Sequence, residues 1–392
     1  MAAGAEAIAA RARPILERLV AFDTTSALSN LALIEWVERY LMGCGVAYRR
    51  IASGDGRKAN LFALVGPSAE GGVVLSGHTD VVPVVAGQAW TGDPFALAER
   101  GGRLYGRGAA DMKGFIALAL AAVPDLIAAP LKRPAMLAFS YDEEIGCFGA
   151  PALIETIRRD APRPALVVVG EPTSMEVVSA HKGVAVWRVT VTGREAHSAQ
   201  THLGVSANMA AAWLMGALAE AAEALEAAAD AASPFTPAGA TLTIGTVAGG
   251  TAANILARQC VFQFDLRAPA EDEARRRLAP VFRLAERLDA AIKEKAPEGG
   301  VAIETLADVP PLRSEPGGEA EALARSLAGD NGPARAASFA SEAGQFQAAG
   351  LPAVLCGPGS IDQAHQPDEY IDIAQIERGA AFMGRLIEAL AR

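Results

Sequence analysis

Two histidines and several acidic residues of this chain stand where a metal centre would need them. Each group follows a short apolar run or a glycine-rich turn, and the groups are His78 and Asp80, Asp111, Glu143 and Glu144, Glu171, and His365. Four of the five groups come directly after a strand-like stretch, and ligands of open α/β sheets bind outside the carboxyl ends of the strands. Imidazoles and carboxylates gathered at one edge are what a pair of divalent metal ions requires.

The order of predicted elements would bring these groups to one edge of a sheet. The first part of the 392-residue chain alternates strands and helices, which predicts an α/β fold with a mostly parallel sheet. The predicted strands are 47–53, 60–65, 73–77, 135–141 and 165–170, and the predicted helices are 5–21, 29–43, 112–128 and 150–158. The alternation returns in the last part, with helices near 318–328, 342–349 and 373–391 and a strand at 352–356.

The middle of the chain has a different pattern. Residues 184–193 alternate apolar and polar side chains like a half-buried antiparallel strand. The elements that follow are a helix at 205–229, strands near 241–248 and 258–266, a helix at 271–288 and a strand near 301–306. This β-α-β-β-α-β order is the ferredoxin-like motif. We therefore predict a main domain formed by 1–181 and 310–392, with a smaller domain inserted at 182–309.

Composition and charge disfavour several classes of function. The formal net charge is −10, which disfavours a broad nucleic-acid or anionic-membrane surface, and no apolar stretch predicts a membrane span. The four cysteines lie far apart without a C-x-x-C, so we expect reduced thiols in a cytoplasmic protein. The N-terminal segment carries Glu6 and lacks a long apolar core, which favours an amphipathic helix over a signal peptide.

His78, Asp80 and Asp111 have a metal-binding interpretation and a plainer one. In an extended segment His78 and Asp80 point to the same side, and a metal-bound histidine usually gives its second ring N–H to a carboxylate or carbonyl. Asp111 lies in G-R-G-A-A-D-M-K-G, where glycines allow close backbone approach, and its two oxygens could bridge two metals. The alternatives are a loop histidine with a turn aspartate, and an ordinary aspartate at a helix N-terminus.

Glu143 and Glu144 are adjacent, so their side chains should diverge. One of them could bind metal while the other, not being a ligand, exchanges a proton with the reacting water. The alternative is a solvated acidic turn, and Glu171 could likewise be an exposed glutamate at a strand end. His197, at the end of a strand in the inserted domain, could be structural or could donate to a substrate oxygen.

Several common catalytic motifs do not occur in the sequence. It contains no H-E-x-x-H, no G-x-S-x-G and no P-loop. The string G-R-G-A-A-D is also not the G-x-G-x-x-G of dinucleotide-binding folds. These absences disfavour zincins, α/β-hydrolases and nucleotide-driven chemistry.

Four motifs together resemble one family. They are S-G-H-T-D-V-V-P, G-R-G-A-A-D-M-K-G, D-E-E-I-G and G-E-P-T, in this order. With them the chain resembles, nearly end to end, the zinc-dependent deacylases and exopeptidases that include acetylornithine deacetylase, succinyl-diaminopimelate desuccinylase, aminoacylase and glutamate carboxypeptidase. The resemblance implies a zinc-peptidase catalytic domain, an inserted ferredoxin-like α+β domain that serves as a lid and dimerisation surface, and a homodimer.

The resemblance also implies a ligand set for two zinc ions, with cobalt or manganese as alternative metals that suit the same ligands. His78 and Glu171 would bind one ion, and Glu144 and His365 would bind the other. Asp111 would bridge the two ions, and the peptide bond that follows it would be cis.

The remaining implied roles concern the reaction and the substrate. Glu143 would be the general base and later the acid, and Asp80 would orient His78. His197 would stabilise the oxyanion, usually in the active site of the partner subunit. The residues implied to hold the substrate are Asn254 and Arg267 for its carboxylate, and Glu342 for a side-chain amine.

One tract indicates a subgroup of the family. G-P-G-S-I-D-Q-A-H-Q-P-D-E-Y is most similar to acetylornithine deacetylases, so the expected reaction is hydrolysis of N2-acetyl-L-ornithine to L-ornithine and acetate in arginine biosynthesis. The alternatives are a desuccinylase, another N-acyl-amino-acid hydrolase or a carboxypeptidase, and, in a different class, a catalytically silent metal-binding protein. Glu143 argues against the last alternative, because a binding module needs no base that is not a ligand.

Overall fold

The computed structural model describes residues 2–85, 87, 89–315 and 317–392, and the chain divides into two compact units. Unit 1 extends to Ala180 and resumes at Leu312–Arg335 and Ser341–Arg392. Unit 2 comprises His181–Pro311 and Ala336–Ala340. Unit 2 thus corresponds closely in sequence to the segment 182–309, whose role as a lid and dimerisation domain stays a prediction.

The helices and strands are given in chain order. The helices are α1 Ala2–Val20, α2 Leu31–Gly43, α3 Gly114–Ala128, α4 Ala150–Asp160, α5 Ala207–Ala227, α6 Glu271–Lys295, α7 Glu319–Ala328, α8 Ala343–Ala348 and α9 Ile373–Leu390. The strands are β1 Tyr48–Ala52, β2 Ala59–Val65, β3 Val73–His78, β4 Ala98–Arg100, β5 Arg103–Tyr105, β6 Ala135–Ser140, β7 Leu166–Pro172, β8 Ala180–His181, β9 Gly183–Thr192, β10 Thr241–Gly249, β11 Gln259–Ala268, β12 Gly300–Val309, β13 Ala336–Ala337, β14 Ala353–Gly357 and β15 Tyr370–Asp372.

Unit 1 is built around a six-stranded sheet with the order β1-β2-β6-β3-β7-β14. The strands β6, β3, β7 and β14 run parallel, whereas β2 is antiparallel to β6 and β1 to β2. Every residue of β3, β6 and β7 is buried, which explains their continuous apolar runs, because strands covered on both faces have no solvent side. The predicted mostly parallel sheet is confirmed, and four strands share one carboxyl edge.

The helix α3 covers this sheet and contacts α1 and α9. Its sequence is apolar on all sides, as expected for a helix in the middle of a core. The prediction of a helix from residue 112 was wrong at its start, because α3 begins at Gly114. Asp111 and Met112 have non-helical dihedral angles, and the peptide bond between them is cis. Asp111 therefore lies in an irregular turn and does not open the helix.

Unit 2 contains a four-stranded antiparallel sheet with the order β10-β11-β9-β12, together with α5 and α6. This confirms the predicted β-α-β-β-α-β motif. Buried and partly buried residues alternate along β9 and β11, because one face of the sheet packs on the helices. The helix α6 extends to Lys295, beyond the predicted end at 288, and includes Pro280.

The sequence patterns missed the five short strands β4, β5, β8, β13 and β15, of which β8 and β13 have two residues each. β15, β5 and β4 form a small sheet in that order, and each has only three residues. Strands of this length show no alternation that a pattern could detect.

In the part of the chain that the structure describes, no helix combines the length and apolar character needed to cross a membrane.

Candidate metal centre

The carboxyl edge of the unit 1 sheet brings the predicted acidic and imidazole groups together. His78 is the last residue of β3, Glu171 is the last residue but one of β7, and Glu144 follows β6. His365 lies in the loop after β14, and Asp111 lies in the irregular turn before α3. Because β3, β6, β7 and β14 are parallel, their following residues are delivered to the same edge.

Asp111 is at the centre of the cluster. Its Oδ1 lies 3.0 Å from Nε2 of His78, and its Oδ2 lies 3.3 Å from Nε2 of His365. Glu144 Oε2 lies 3.0 Å from the same His365 nitrogen. One carboxylate thus faces two imidazoles with its two oxygens, which is the arrangement that a bridging ligand needs.

Two overlapping groups of side chains have the compactness of an ion site. His78, Glu143 and Glu171 form one group and His78, Asp111 and Glu144 form another, each with its ligand atoms within 4.8 Å of one another. Glu144 Oε1 and Glu171 Oε1 are buried and have no hydrogen-bond partner among the described residues. Buried carboxylate oxygens normally have a partner, so these two atoms fit a cation.

The electrostatics of the cluster also fit a cation. Burial and the charge of Asp111 raise the pKa of Glu144 to about 7 and raise that of Glu171 well above its usual range. Hydrogen bonds to Asp111 and Glu144 raise the pKa of His365 to about 10. Burial opposes ionisation of Asp111, but hydrogen bonds from His365 and His78 hold its pKa below the usual value. Without metal, these shifts favour protonation of Glu144, Glu171 and His365, which divalent ions would have to displace.

The tautomer of His78 follows from its second ring nitrogen. Nδ1 lies 2.9 Å from the backbone oxygen of Asp80, which can only accept, so the proton is on Nδ1. In the neutral ring, the lone pair of Nε2 then faces Asp111. Burial alone would lower the pKa of His78, but Asp111 and the nearby acidic residues raise it well above its usual value. An oxygen and a nitrogen lone pair at this distance need a proton or a metal ion between them.

The carboxylate of Asp80 does not play the part that the sequence suggested. Its Oδ1 is 3.7 Å from Nδ1 of His78, too far for a hydrogen bond, and the backbone oxygen of Asp80 takes that place. The carboxylate instead accepts from Ser26 Oγ at 2.7 Å and from the backbone N–H groups of Glu143 at 3.1 Å and Glu144 at 3.3 Å. Asp80 therefore fixes the loop that carries the two glutamates.

Glu369 was missed by the sequence reasoning. Its buried carboxylate accepts hydrogen bonds from Arg107 and from backbone N–H groups of the turn that carries Asp111. The available signal was weak, because Glu369 is only one of two acidic residues in H-Q-P-D-E-Y, the tract that begins at His365. Its partners are far away in sequence, so no local pattern connects them.

In unit 2, His197 and Asn254 lie beside each other. The backbone N–H of Ser198 donates to the backbone oxygen of Asn254 at 2.9 Å, and both side chains are exposed. The backbone N–H of Ala199 donates to Nδ1 of His197 at 3.1 Å. Neutral His197 therefore carries its proton on Nε2, which is free to act as a hydrogen-bond donor.

Arg267 lies at the other end of the same sheet. It is opposite Val184 in the β9–β11 register, whereas Gln259, close to Asn254 along the chain, is opposite Thr192. The eight residue-to-residue steps from 259 to 267 correspond to roughly 27 Å of antiparallel strand. Unit 2 of one chain therefore does not bring Arg267 and Asn254 together. The guanidinium of Arg267 is paired with Asp265 at 3.0 Å.

Glu342 lies in the interior of unit 1, just before α8. It is 1% exposed, and its Oε1 accepts a hydrogen bond of 2.6 Å from Ser76 on β3. Its Oε2 has no partner among the residues that the structure describes. A role toward a substrate amine stays a prediction.

A family model described as peptidase family M20/M25/M40 matches residues 74–389, most of the chain. The chain belongs to this family. The matched region includes all the residues of the cluster described above, from His78 to His365. M20 membership makes the protein a metal-dependent hydrolase, and the cluster is its candidate metal centre.

Curated relatives are similar to this chain over nearly their whole length. An acetylornithine deacetylase of Myxococcus xanthus is 35% identical over 384 residues, which cover 96% of each chain. An acetylornithine deacetylase of Proteus mirabilis (strain HI4320) is 34% identical over 378 residues, which cover 94% of this chain and 92% of that one.

The fold is likewise similar to that of solved M20 structures. The crystal structure of an M20 family metallo-carboxypeptidase from Sulfolobus solfataricus matches with a TM-score of 0.73 at 17% identity. The match covers 97% of this chain and 99% of that one. This likeness confirms the predicted class, in which a mostly parallel sheet accompanies an additional antiparallel domain.

Proposed function

We propose that this protein is a deacylase that hydrolyses the amide bond of N-acyl amino acids, with N2-acetyl-L-ornithine as its substrate. The products would be L-ornithine and acetate, so the reaction would supply ornithine for arginine biosynthesis. The observation that carries the chemical part is Asp111, whose two oxygens face His78 and His365. The choice of substrate is supported by the acetylornithine deacetylases at 34–35% identity.

We propose that the cluster binds two zinc ions, with cobalt or manganese as alternatives. His78 and Glu171 would hold one ion, Glu144 and His365 the other, and Asp111 both. The unpartnered oxygens of Glu144 and Glu171 support this assignment, as does the mixed imidazole and carboxylate composition. Bound zinc would supply a Lewis acid that polarises the amide carbonyl and lowers the pKa of an attacking water to roughly 7.

Glu143 would act as the general base and then as the acid. Burial, together with the charges of Glu144 and Asp111, raises its pKa well above the usual value. A carboxylate whose pKa is raised can both accept a proton from water and return one to the leaving amine. The thiol of Cys147 donates to Glu143 Oε1 at 3.5 Å, and Asp80 holds the backbone of Glu143. These contacts support a fixed position for the carboxylate.

The substrate carboxylate would be held by Arg267 and Asn254, and the developing oxyanion by His197. Nε2–H of His197 is a free donor, which supports the oxyanion role. Arg267 and Asn254 stand at opposite ends of one sheet, so they can reach a single carboxylate only from two copies of the chain. This separation supports a homodimer in which His197 and Asn254 act in the partner subunit's active site.

The surface of unit 2 supports the same homodimer. Met209 and Trp213 are 65% and 67% exposed, and they lie one turn apart on α5. β10 is an edge strand of the sheet, and Val247 on it is 55% exposed. Exposed apolar side chains and an open sheet edge are features of association surfaces.

The four cysteines are free thiols, which supports the expectation of a cytoplasmic protein.

A substrate panel tests this function. Zinc-loaded protein would be assayed with N2-acetyl-L-ornithine, N-succinyl-diaminopimelate, other N-acetyl amino acids and dipeptides. We expect the highest kcat/KM for N2-acetyl-L-ornithine. A higher value for a succinylated substrate or a dipeptide would reassign the protein within the family. Zinc binding without hydrolysis of any of these substrates would indicate a catalytically silent metal-binding protein.

A further inference from the structure

Glu369 has an unusually complete set of hydrogen bonds for a buried carboxylate. Oε2 accepts from Arg107 Nη1 at 2.8 Å and from the backbone N–H of Gly108 at 3.0 Å. Oε1 accepts from the backbone N–H groups of Ala110 at 3.0 Å and Asp111 at 3.1 Å. Glu369 and Arg107 are each 1% exposed. Both oxygens are therefore used, and every donor comes from the segment 107–111.

These bonds connect the two chain segments that carry facing members of the cluster. The first segment is the irregular turn 107–111, which ends in Asp111. The second segment begins at His365, four residues before Glu369. The backbone N–H of Gly106 also donates to the backbone oxygen of Glu369 at 2.9 Å. The carboxylate thus adds four side-chain bonds to this backbone bond and to the pairing of β15 with β5, which already join the two segments.

The turn depends on an external acceptor. Gly108 has φ +79°, and a Cβ there would lie 2.7 Å from Cγ1 of Val81. Asp111 itself has φ −121° and ψ 91°, outside the helical region. The N–H groups of Gly108, Ala110 and Asp111 therefore point at the Glu369 carboxylate, as in the backbone nests that bind anions in other proteins.

We propose that Glu369 is a positioning residue that sets Asp111 against His365, so that both can share one metal ion. The inference rests on the proposed function, because it concerns the ion that Glu144 and His365 would hold. Glu369 touches neither the substrate nor the ion. It acts through the backbone of Asp111 on one side and through its own short connection to His365 on the other.

The geometry requires a carboxylate at this position. In Glu369→Gln, one oxygen becomes an NH2 group, which would face two N–H donors whichever way the amide turns. The turn would lose two of its four bonds to the side chain, and Asp111 would shift relative to His365. In Glu369→Asp the charge is kept, but the shorter side chain cannot reach both halves of the turn at these distances.

The test is zinc binding by the full-length protein, measured by calorimetric titration of the metal-free form. The wild type would be compared with Glu369→Gln, with Glu369→Asp, and with Glu377→Gln as a control at an exposed glutamate on α9. We expect Glu369→Gln to weaken binding of the second zinc equivalent by about 10–100-fold. Substitutions of residues that hold metal ligands in position typically have effects of this size. The first equivalent should be less affected, kcat should fall, and KM should change little.

The outcomes separate this inference from the proposed function. If the wild type binds no zinc, the proposed function fails. If the wild type binds two ions and hydrolyses substrate, while Glu369→Gln does the same with equal affinity, only the inference fails. Equal weakening of both ions, with a parallel fall in thermal stability, would indicate a general structural role and would also overturn it. If Glu369→Gln does not fold, Glu369→Asp decides; unfolding of both variants counts against the proposal.

Discussion

Asp111 Oδ2 lies 3.3 Å from Nε2 of His365, although the two residues come from distant parts of the chain. The other oxygen of the same carboxylate lies 3.0 Å from His78. Each of these contacts leaves a place for a proton or a metal ion. The exchange of protons for metal ions therefore has consequences that can be measured.

Zinc should stabilise the protein more at pH 8 than at pH 5. The pKa of Glu144 is raised from 4.5 to about 7, so in metal-free protein its contribution to stability is complete below pH 4.5 and is lost as the pH rises through 7. His365, whose pKa is raised from 6.5 to about 10, loses its contribution as the pH rises through 10. Zinc needs deprotonated ligands and must displace these protons at low pH.

The measurement is the melting temperature with and without zinc at pH 5, 6.5 and 8. The zinc-induced increase should grow with pH, and Glu144→Ala should lose part of it, because this variant should bind only one of the two ions. An increase of the same size at every pH, or one that is largest at pH 5, would contradict the assignment of these groups as ligands.

Asp80→Asn should lower kcat by about 10–100-fold with little change in KM, because the Asp80 carboxylate holds the backbone of Glu143 and Glu144. An amide at this position would leave a buried N–H without an acceptor, which costs about 1–3 kcal/mol in the free energy of unfolding. The matched control is Ser26→Ala, which removes a third hydrogen bond to the same carboxylate. Steady-state kinetics of both variants would test this, and equal loss of kcat in the two would argue against a specific role.

The sequence predicted which side chains meet at the sheet edge for a simple physical reason. Parallel strands deliver the residues at their carboxyl ends to one edge, and β3, β6 and β7 are recognisable as continuous apolar runs. His78, Glu144 and Glu171 therefore needed only the topology to be placed close together. The ferredoxin-like order of unit 2 was recognisable because its sheet has one buried face.

The sequence does not predict hydrogen bonds between a side chain and backbone groups that are far away along the chain. The Asp80 carboxylate binds the N–H groups of Glu143 and Glu144, and Glu369 binds those of residues 108–111. Almost every residue type has the same backbone N–H group, so no pattern of residue types predicts these bonds. The wide separation of Arg267 and Asn254 depends on strand register, which residue types alone do not fix.

Trp213→Asp should shift the protein toward a monomer. The side chain is 67% exposed on α5, and a charge there would be costly to bury in an apolar interface. Sedimentation velocity of the variant and of the wild type measures the change. Ile127→Asp, at a side chain 48% exposed in unit 1, is the control and should leave the association state unchanged. A wild-type monomer, or a Trp213→Asp dimer of unchanged affinity, would contradict the proposed surface.

Mixing His197→Ala with Glu143→Ala should restore activity if His197 acts in the partner subunit's site. Half of randomly mixed dimers pair the two variants, and each such dimer has one complete site, so about a quarter of wild-type activity is expected. The control is Glu143→Ala mixed with the double variant, in which no complete site can form. Rates that stay at the level of the separate variants would show that His197 does not complement across subunits.

The central claim is that Asp111, Glu144 and their neighbours hold two cations while Glu143 stays free to transfer protons. The most direct measurement is the zinc content and kcat of Glu143→Gln beside Glu144→Gln. Glu143→Gln should retain two zinc ions per chain and lose about 10²–10⁴-fold in kcat, whereas Glu144→Gln should lose one ion. Loss of zinc from Glu143→Gln, or turnover close to that of the wild type, would contradict the account.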